Sequence, residues 1–317
     1  MSATDKFSVK EIIAGIVILF VVAIGVVISI FVFRNESAQH EFIVSDVDKK
    51  TPDHLEIFIK LLTIDPIKGD TTARLEFVPH GKLEAEDHTL AADLKLYIPS
   101  ANGKTEIDFK KGRTMPPVEA VFSMFGGNAA DYPFDAHRAS FYVYAEKATA
   151  EKKEPAKAAP IEPADENESK STKAEEPATP EIALDVSFFG SIPGYKITVD
   201  KGKDSDDTLV DGDINISRSA TVIAFSFFAG MLLWGLSIAV LFLLLSLLLR
   251  GRKVEIAMFS FMSALLFAYY TLRNSQPNVP PIGVFSDFIS FFWAEIIVGA
   301  CLFISVVTWI FRAAKTP

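Results

Sequence analysis

The sequence predicts a membrane α-helical bundle of four transmembrane helices that carries an extracytoplasmic, all-β, sandwich-like domain. Three observations predict it. Long uncharged apolar runs occupy the start and the C-terminal third of the chain. The residues between them are charged and alternate between polar and apolar side chains. Basic residues cluster at those ends of the runs that would face the cytoplasm.

The composition limits the class of protein. Half of the 317 residues are hydrophobic, and the net charge of −9 argues against nucleic-acid binding. Cys301 is the one cysteine and lies inside an apolar run, so no disulfide forms within the chain. The five histidines are scattered without metal-ligand spacing. Catalytic motifs such as GxSxG, HExxH and the P-loop are absent. We therefore predict no enzymatic activity, no metal and no cofactor.

The apolar runs are long enough to span lipid. A bilayer core about 30 Å thick requires about 20 apolar helical residues. Residues 12–33 form the first run and follow a tail at 1–11. A cleaved signal peptide is the alternative, but its apolar region is only about 7–15 residues long, so we predict an uncleaved anchor. The further transmembrane helices are predicted at 220–249, 254–272 and 288–311, followed by a tail at 312–317.

The distribution of Lys and Arg predicts the orientation. With the N-terminus in the cytoplasm, only Arg34, Arg218 and Arg273 lie near the outer ends of the helices. Both termini are then cytoplasmic, in the cell (inner or plasma) membrane, and residues 34–219 lie outside. The basic residues on the inner side are Lys6, Lys10, Arg250, Arg252, Lys253, Arg312 and Lys315.

Residues 34–219 have the period-two alternation of half-buried strands. Turn signals such as Asn102-Gly103 separate the alternating segments, which favours hairpins and a β-sandwich of about nine strands. Residues 146–180 are rich in Ala, Glu, Lys and Pro and predict a disordered, solvated insertion, with a partner-binding segment as the alternative. The predicted strands are 55–64, 73–78, 92–98, 105–110, 118–125, 139–145, 182–188, 195–200 and 214–217.

Charged residues near the outer ends of the last two helices are candidates for a polar pair. Glu295 lies inside the fourth predicted helix, where an ionisable side chain needs a partner or water. Arg273 could pair with it, with Asp287 as the rival partner. A structural pair between the helices is the favoured interpretation, and an ion or proton relay is the alternative. The Pro-rich outer loop 273–287 is predicted to be stiff, because proline fixes φ, and to pack the outer domain against the bundle, with a ligand-gating loop as the alternative.

A second candidate is the segment Tyr132, Pro133, Phe134 and Asp135. Proline between aromatic residues predicts a structural corner, in which Asp135 caps the turn by accepting hydrogen bonds from backbone amides. The alternative is a polar site formed by Asp131, Asp135, His137 and Arg138.

Several segments resemble a known family. They are LRNSQPNVPPIG at 272–283, FFWAE at 291–295, PHG at 79–81, DYPFD at 131–135 and ISRS at 216–219. The chain resembles the bacterial membrane-protein family catalogued as domain of unknown function 4436. The resemblance implies one helix, a soluble domain and three helices, and it implies no chemistry. The YPFD segment is also similar to a loop of pentameric ligand-gated channels, but the flanking cysteines are absent and only three helices follow.

Three functional hypotheses follow from the sequence, the last being an enzyme with an unrecognised site in the β-sandwich. The first is a non-enzymatic, multi-pass envelope protein whose outer β domain binds a protein, glycan or lipid partner next to the bilayer. The second is a transporter or channel subunit gated by the outer domain, which requires a water-accessible path near Glu295.

Overall fold

A computed structural model describes residues 9–36, 40–45, 52–85, 88–101, 103, 106–148, 181–203, 205–251 and 254–311. A long helix, α1 (Val9–Glu36), precedes ten strands. The strands are β1 (His40–Ser45), β2 (His54–Asp65), β3 (Asp70–Pro79), β4 (Leu94–Tyr97), β5 (Glu106–Phe109), β6 (Val118–Phe125), β7 (Ala136–Lys147), β8 (Ala183–Gly190), β9 (Tyr195–Lys201) and β10 (Leu209–Arg218). All nine predicted segments are strands, and β1 was not predicted.

The all-β class is confirmed, but the sandwich prediction is wrong. The strands form one continuous sheet in the order β1-β8-β2-β3-β6-β7-β10-β9, and the β4–β5 hairpin is attached to β7. The sheet curls until β9 approaches β1, which makes an almost closed barrel of eight strands. It is a mixed sheet, because β2 and β8 run parallel.

One short pairing makes the difference between barrel and sandwich. Met124 of β6 pairs with Ala139 of β7, and Phe125 pairs with Arg138. This contact joins two halves of the sheet that a sandwich would keep apart. A barrel of about eight strands has an interior that side chains can fill. Phe141 and Phe188 do so here, with ring centroids 4.5 Å apart.

The predicted insertion at 146–180 lies mostly outside the described residues. Glu146 and Lys147 are the last residues of β7, and β8 begins at Ala183.

Three helices follow the barrel: α2 (Ala220–Leu249), α3 (Ile256–Asn274) and α4 (Phe292–Phe311), the last preceded by a π-helical turn (Asp287–Phe291). Within the described part of the chain, Ala220–Leu249, Ile256–Asn274 and Asp287–Phe311 are long and apolar enough to cross a membrane. Leu233, Tyr269 and Val298 belong to their common core. The first predicted run forms the 28-residue helix α1. That α1 crosses the membrane stays a prediction.

Candidate functional site

The barrel continues directly into the helices. β10 ends at Arg218, and α2 begins at Ala220. Ser219 caps α2, because its Oγ accepts a hydrogen bond from the amide of Val222 at 3.4 Å. The amide of Ser219 donates to the carbonyl of Gly194 at 3.0 Å, beside the start of β9. Ser219 is therefore the one residue between β10 and α2.

Arg218 lies at the centre of this junction with 1% of its side chain exposed. Its Nε donates to both carboxylate oxygens of Asp135, at 2.8 and 3.0 Å. Its Nη1 donates to the carbonyl of Asn278 in the Pro-rich loop at 3.1 Å. The guanidinium also lies 4.9 Å from the ring centroid of Tyr132 and 4.7 Å from that of Tyr195. Aromatic faces stabilise a desolvated guanidinium by cation–π attraction.

Asp135 is fully buried and serves two partners. Besides Arg218, its Oδ2 lies 3.2 Å from Nε2 of His137, whose side chain is 6% exposed. Nδ1 of the same ring lies 3.3 Å from the carbonyl of Gly126. A neutral imidazole carries a single N–H, so only the protonated ring donates to both oxygens. Asp135, Arg218 and His137 form what we call the junction cluster.

Tyr132 connects the junction cluster to the outer loop. Its hydroxyl donates to the carbonyl of Pro277 at 3.2 Å, and its own carbonyl accepts from the amide of Ser286 at 3.3 Å. The ring packs on Val222 and Val284. Burial raises the pKa of Tyr132 to about 12, so the hydroxyl remains a donor at neutral pH. Phe134, two residues on, packs edge-on against Phe227 of α2 and Phe285.

The predicted corner is therefore a joint between domains. The structure gives Asp135 side-chain partners, Arg218 and His137, in place of the backbone amides that the sequence predicted. The alternative polar site had four predicted members. Asp135 and His137 lie together, whereas Asp131 and Arg138 are exposed.

A second buried ion pair closes the loop between α3 and α4. Nε and Nη2 of Arg273 donate to the two oxygens of Asp287, each at 2.8 Å, and the side chains are 2% and 1% exposed. Oδ2 of Asp287 also accepts from the amides of Gly283 at 2.8 Å and Val284 at 3.2 Å. Arg273 thus pairs with Asp287, the rival partner, and not with Glu295. This pair fixes the outer loop on which the junction cluster rests.

Glu295 lies apart from both ion pairs. It is half-buried in the first turn of α4, close enough to Tyr269 to interact with it electrostatically. Within the described residues it makes neither a hydrogen bond nor an ion pair. The same part of the chain holds no group of three or more His, Cys, Asp or Glu residues arranged for a metal ion.

A polar hollow of about 430 Å³ opens on the barrel beside His137. Gly127 shapes it: its φ is +73°, and a Cβ there would meet the carbonyl oxygen of Ala136 at 1.8 Å. Arg138 and Lys196 line the hollow with exposed basic side chains. The lining groups can therefore bind an anionic or hydroxyl-rich ligand.

Sequence reasoning did not identify Arg218 as part of the site. It appeared as a basic residue near an outer helix end and within the ISRS segment of the family resemblance, without a role in a site. The available signal was its position, since it ends an alternating strand next to an uncharged run of 30 helical residues. An arginine there is placed to join a domain to a bundle.

Comparison with known proteins divides the chain at this same point. A family model described as Domain of unknown function (DUF4436) matches residues 45–216. A second, described as Domain of unknown function (DUF8686), matches residues 218–312. The two matches meet at the last residues of β10, on either side of Ser217. A search of curated proteins found no match.

Proposed function

We propose that this chain, which belongs to the DUF4436 family, is a non-enzymatic binding or assembly module of the cell envelope. The observation that carries the proposal is the side chain of Arg218. It ties the last strand of the barrel to the Asp135 loop and to the carbonyl of Asn278 between α3 and α4. A barrel fixed in this way presents its surface at a constant height and angle to the bilayer.

The proposed placement is a multi-pass arrangement with four membrane-spanning helices, α1 being the first. Both termini lie in the cytoplasm and the barrel lies outside. The basic residues that flank the helices on one side support this orientation. The lengths of α2, α3 and α4 support the crossing, since each exceeds or approaches the about 20 residues that a bilayer requires.

The polar hollow is the proposed contact surface for a partner. Lys196 and Arg138 are basic groups of its lining in a chain whose net charge is −9, and Nη1 of Arg138 lies 4.0 Å from Oδ2 of Asp213, so Lys196 carries most of the uncompensated charge. Nε of Arg138 already donates to Oδ1 of Asn215 at 3.1 Å, which holds the guanidinium in place. A partner with anionic groups, such as an acidic protein segment or a charged glycan, complements this surface.

Site-specific photo-crosslinking in intact cells tests the proposal. A photoreactive residue at Thr198, which lines the hollow, is expected to give a discrete cross-linked product. Lys196→Glu in the same chain reverses the local charge and is expected to reduce the yield at least tenfold. The matched control carries the photoreactive residue at Glu76, an exposed barrel position away from the hollow. Identical products from both positions, or no product from Thr198, would argue against a binding role of this surface.

A transporter or channel subunit is the second candidate function. Glu295 favours it, because ionisable residues within membrane helices are commonly part of ion or proton pathways. A flux measured in liposomes with the wild type and lost with Glu295→Gln would support the transporter or channel function and not the binding module. Flux at the background level with both the wild type and Glu295→Gln would exclude the transporter or channel function.

A further inference from the structure

His137 is a buried histidine whose two ring nitrogens both face oxygen acceptors. Its Nε2 lies 3.2 Å from Oδ2 of Asp135, and its Nδ1 lies 3.3 Å from the carbonyl oxygen of Gly126. A neutral ring donates to one of these oxygens and turns the lone pair of its other nitrogen toward the second. The protonated ring donates to both. The surroundings of His137 therefore favour the protonated ring in geometry, and they lose one hydrogen bond when the proton leaves.

The carbonyl of Gly126 belongs to a turn that forms one wall of the polar hollow. Gly126 and Gly127 have φ of +69° and +73°, and both line the hollow. The turn packs closely on the start of β7: a Cβ at Gly127 would overlap the carbonyl oxygen of Ala136 and would lie 3.0 Å from Nδ1 of His137. The hydrogen bond from Nδ1 to Gly126 therefore connects this wall of the hollow to Asp135 and the rest of the junction cluster.

Protonation of His137 also changes the charge beside the hollow. With a neutral ring, the charges of Asp135 and Arg218 balance, whereas the protonated ring gives the junction cluster one positive charge. Lysine, arginine and carboxylate side chains ordinarily keep their charge between about pH 5 and 8, and histidine does not. Burial raises the pKa of Tyr195, and that of Tyr132 to about 12, so both tyrosines stay neutral there. The charged and titratable groups around the ring and the hollow are Asp135, Arg218, Tyr132, Tyr195, Arg138, Lys196, Asp200 and Asp213.

We propose that His137 couples anion binding in the polar hollow to the uptake of one proton. The protonated ring holds the Gly126–Gly127 turn in place and adds a positive charge beside the anion, so the affinity for an anion falls as the pH rises and the proton leaves. By linkage, a bound anion favours the protonated ring to the same extent. His137 is a positioning residue, because both of its ring nitrogens face partners within the protein. The inference rests on the proposed binding role of the hollow and adds its regulation.

Nuclear magnetic resonance of the full chain in detergent, with labelled histidine and glycine, tests the control of the turn without any ligand. In the wild type, the ring signal of His137 and the amide signals of Gly126 and Gly127 are expected to shift with one common midpoint between about pH 5 and 8. His137→Gln keeps a side-chain donor without the charge and is expected to abolish the shift at both glycines. The matched control is His80→Gln, just after β3 at the opposite end of the barrel, and it is expected to leave the shift unchanged. A ring of His137 that does not titrate in this range, or glycine shifts that persist in His137→Gln, would overturn the inference.

Calorimetric titration of the same protein with sulfate tests the coupling to binding, because sulfate remains a dianion at both about pH 5.5 and about pH 7.5. The wild type is expected to bind sulfate about fivefold more tightly at the lower pH, as for one partly screened attraction between charges. His137→Gln is expected to bind it equally at both. Equal affinity of the wild type at the two pH values, or no binding at either, overturns the inference.

The photo-cross-link from Thr198 separates this failure from a failure of the proposed function. A product of equal yield at both pH values leaves the binding role of the hollow in place and removes only its control by His137. Absence of the product at both pH values argues against the binding role itself and removes the inference with it.

Discussion

Replacing Asp135 with alanine is expected to lower the free energy of unfolding by about 3–5 kcal/mol. The substitution leaves the guanidinium of Arg218 buried without its carboxylate, with one carbonyl and two aromatic rings as its remaining partners. Breaking a buried ion pair from one side costs far more than the pair itself contributes. Denaturant unfolding of the detergent-solubilised protein, followed by circular dichroism, measures the change.

Asp131→Ala is the matched control. It removes an exposed carboxylate from the same loop, and a surface substitution of this kind changes stability by less than about 0.5 kcal/mol. The double variant Asp135→Leu with Arg218→Met removes both charges and is expected to recover part of the loss. A loss below about 1 kcal/mol for Asp135→Ala would mean that the junction cluster does not hold the barrel.

Replacing Asp287 with alanine is the second large expected effect, again about 3–5 kcal/mol. The carboxylate accepts hydrogen bonds from Arg273 and from the amides of Gly283 and Val284. Its removal leaves the buried guanidinium without a carboxylate, with Oδ1 of Asn274 as its remaining acceptor at 3.2 Å, and leaves the two amides unpaired. Unfolding of α-helical structure in detergent, followed by circular dichroism, measures the loss.

Glu295→Gln is the control for this variant, since it removes one carboxylate from the same end of the bundle. We expect it to change stability by less than about 1 kcal/mol, because Glu295 has no ion-pair partner among the described residues. A larger loss of stability with Glu295→Gln than with Asp287→Ala would contradict the pairing of Arg273 with Asp287.

The sequence predicted the strands well and their closure poorly. The alternation at 182–188 is a local signal, and β8 covers Ala183–Gly190. The Asn102-Gly103 signal lies in sequence between β4, which ends at Tyr97, and β5, which begins at Glu106. Sandwich and barrel share the same period-two pattern, because each buries one face of every strand. Whether the strands form a sandwich or a barrel depends on which edge strands pair. Here the barrel depends on the pairing of β6 with β7, in which Met124 pairs with Ala139 and Phe125 pairs with Arg138. No local pattern encodes such a contact.

The candidate site was predictable in part. Proline beside aromatic residues identified the Tyr132–Asp135 segment as special, but its main partner is 83 positions away in sequence. For Arg273, helical rise alone left Glu295 and Asp287 as rivals. The structure selects Asp287 because Gly283, with φ of +118°, helps to turn the chain so that two loop amides also reach this carboxylate.

Cysteine accessibility in right-side-out membrane vesicles tests the central claim, that the barrel stands outside the cytoplasm on membrane-spanning helices. In a Cys301→Ala background, one variant carries Glu76→Cys on the barrel and another carries Lys315→Cys at the C-terminus. A membrane-impermeant maleimide is predicted to label Glu76→Cys directly and Lys315→Cys only after detergent is added. Direct labelling of Lys315→Cys, or protection of Glu76→Cys, would contradict the account.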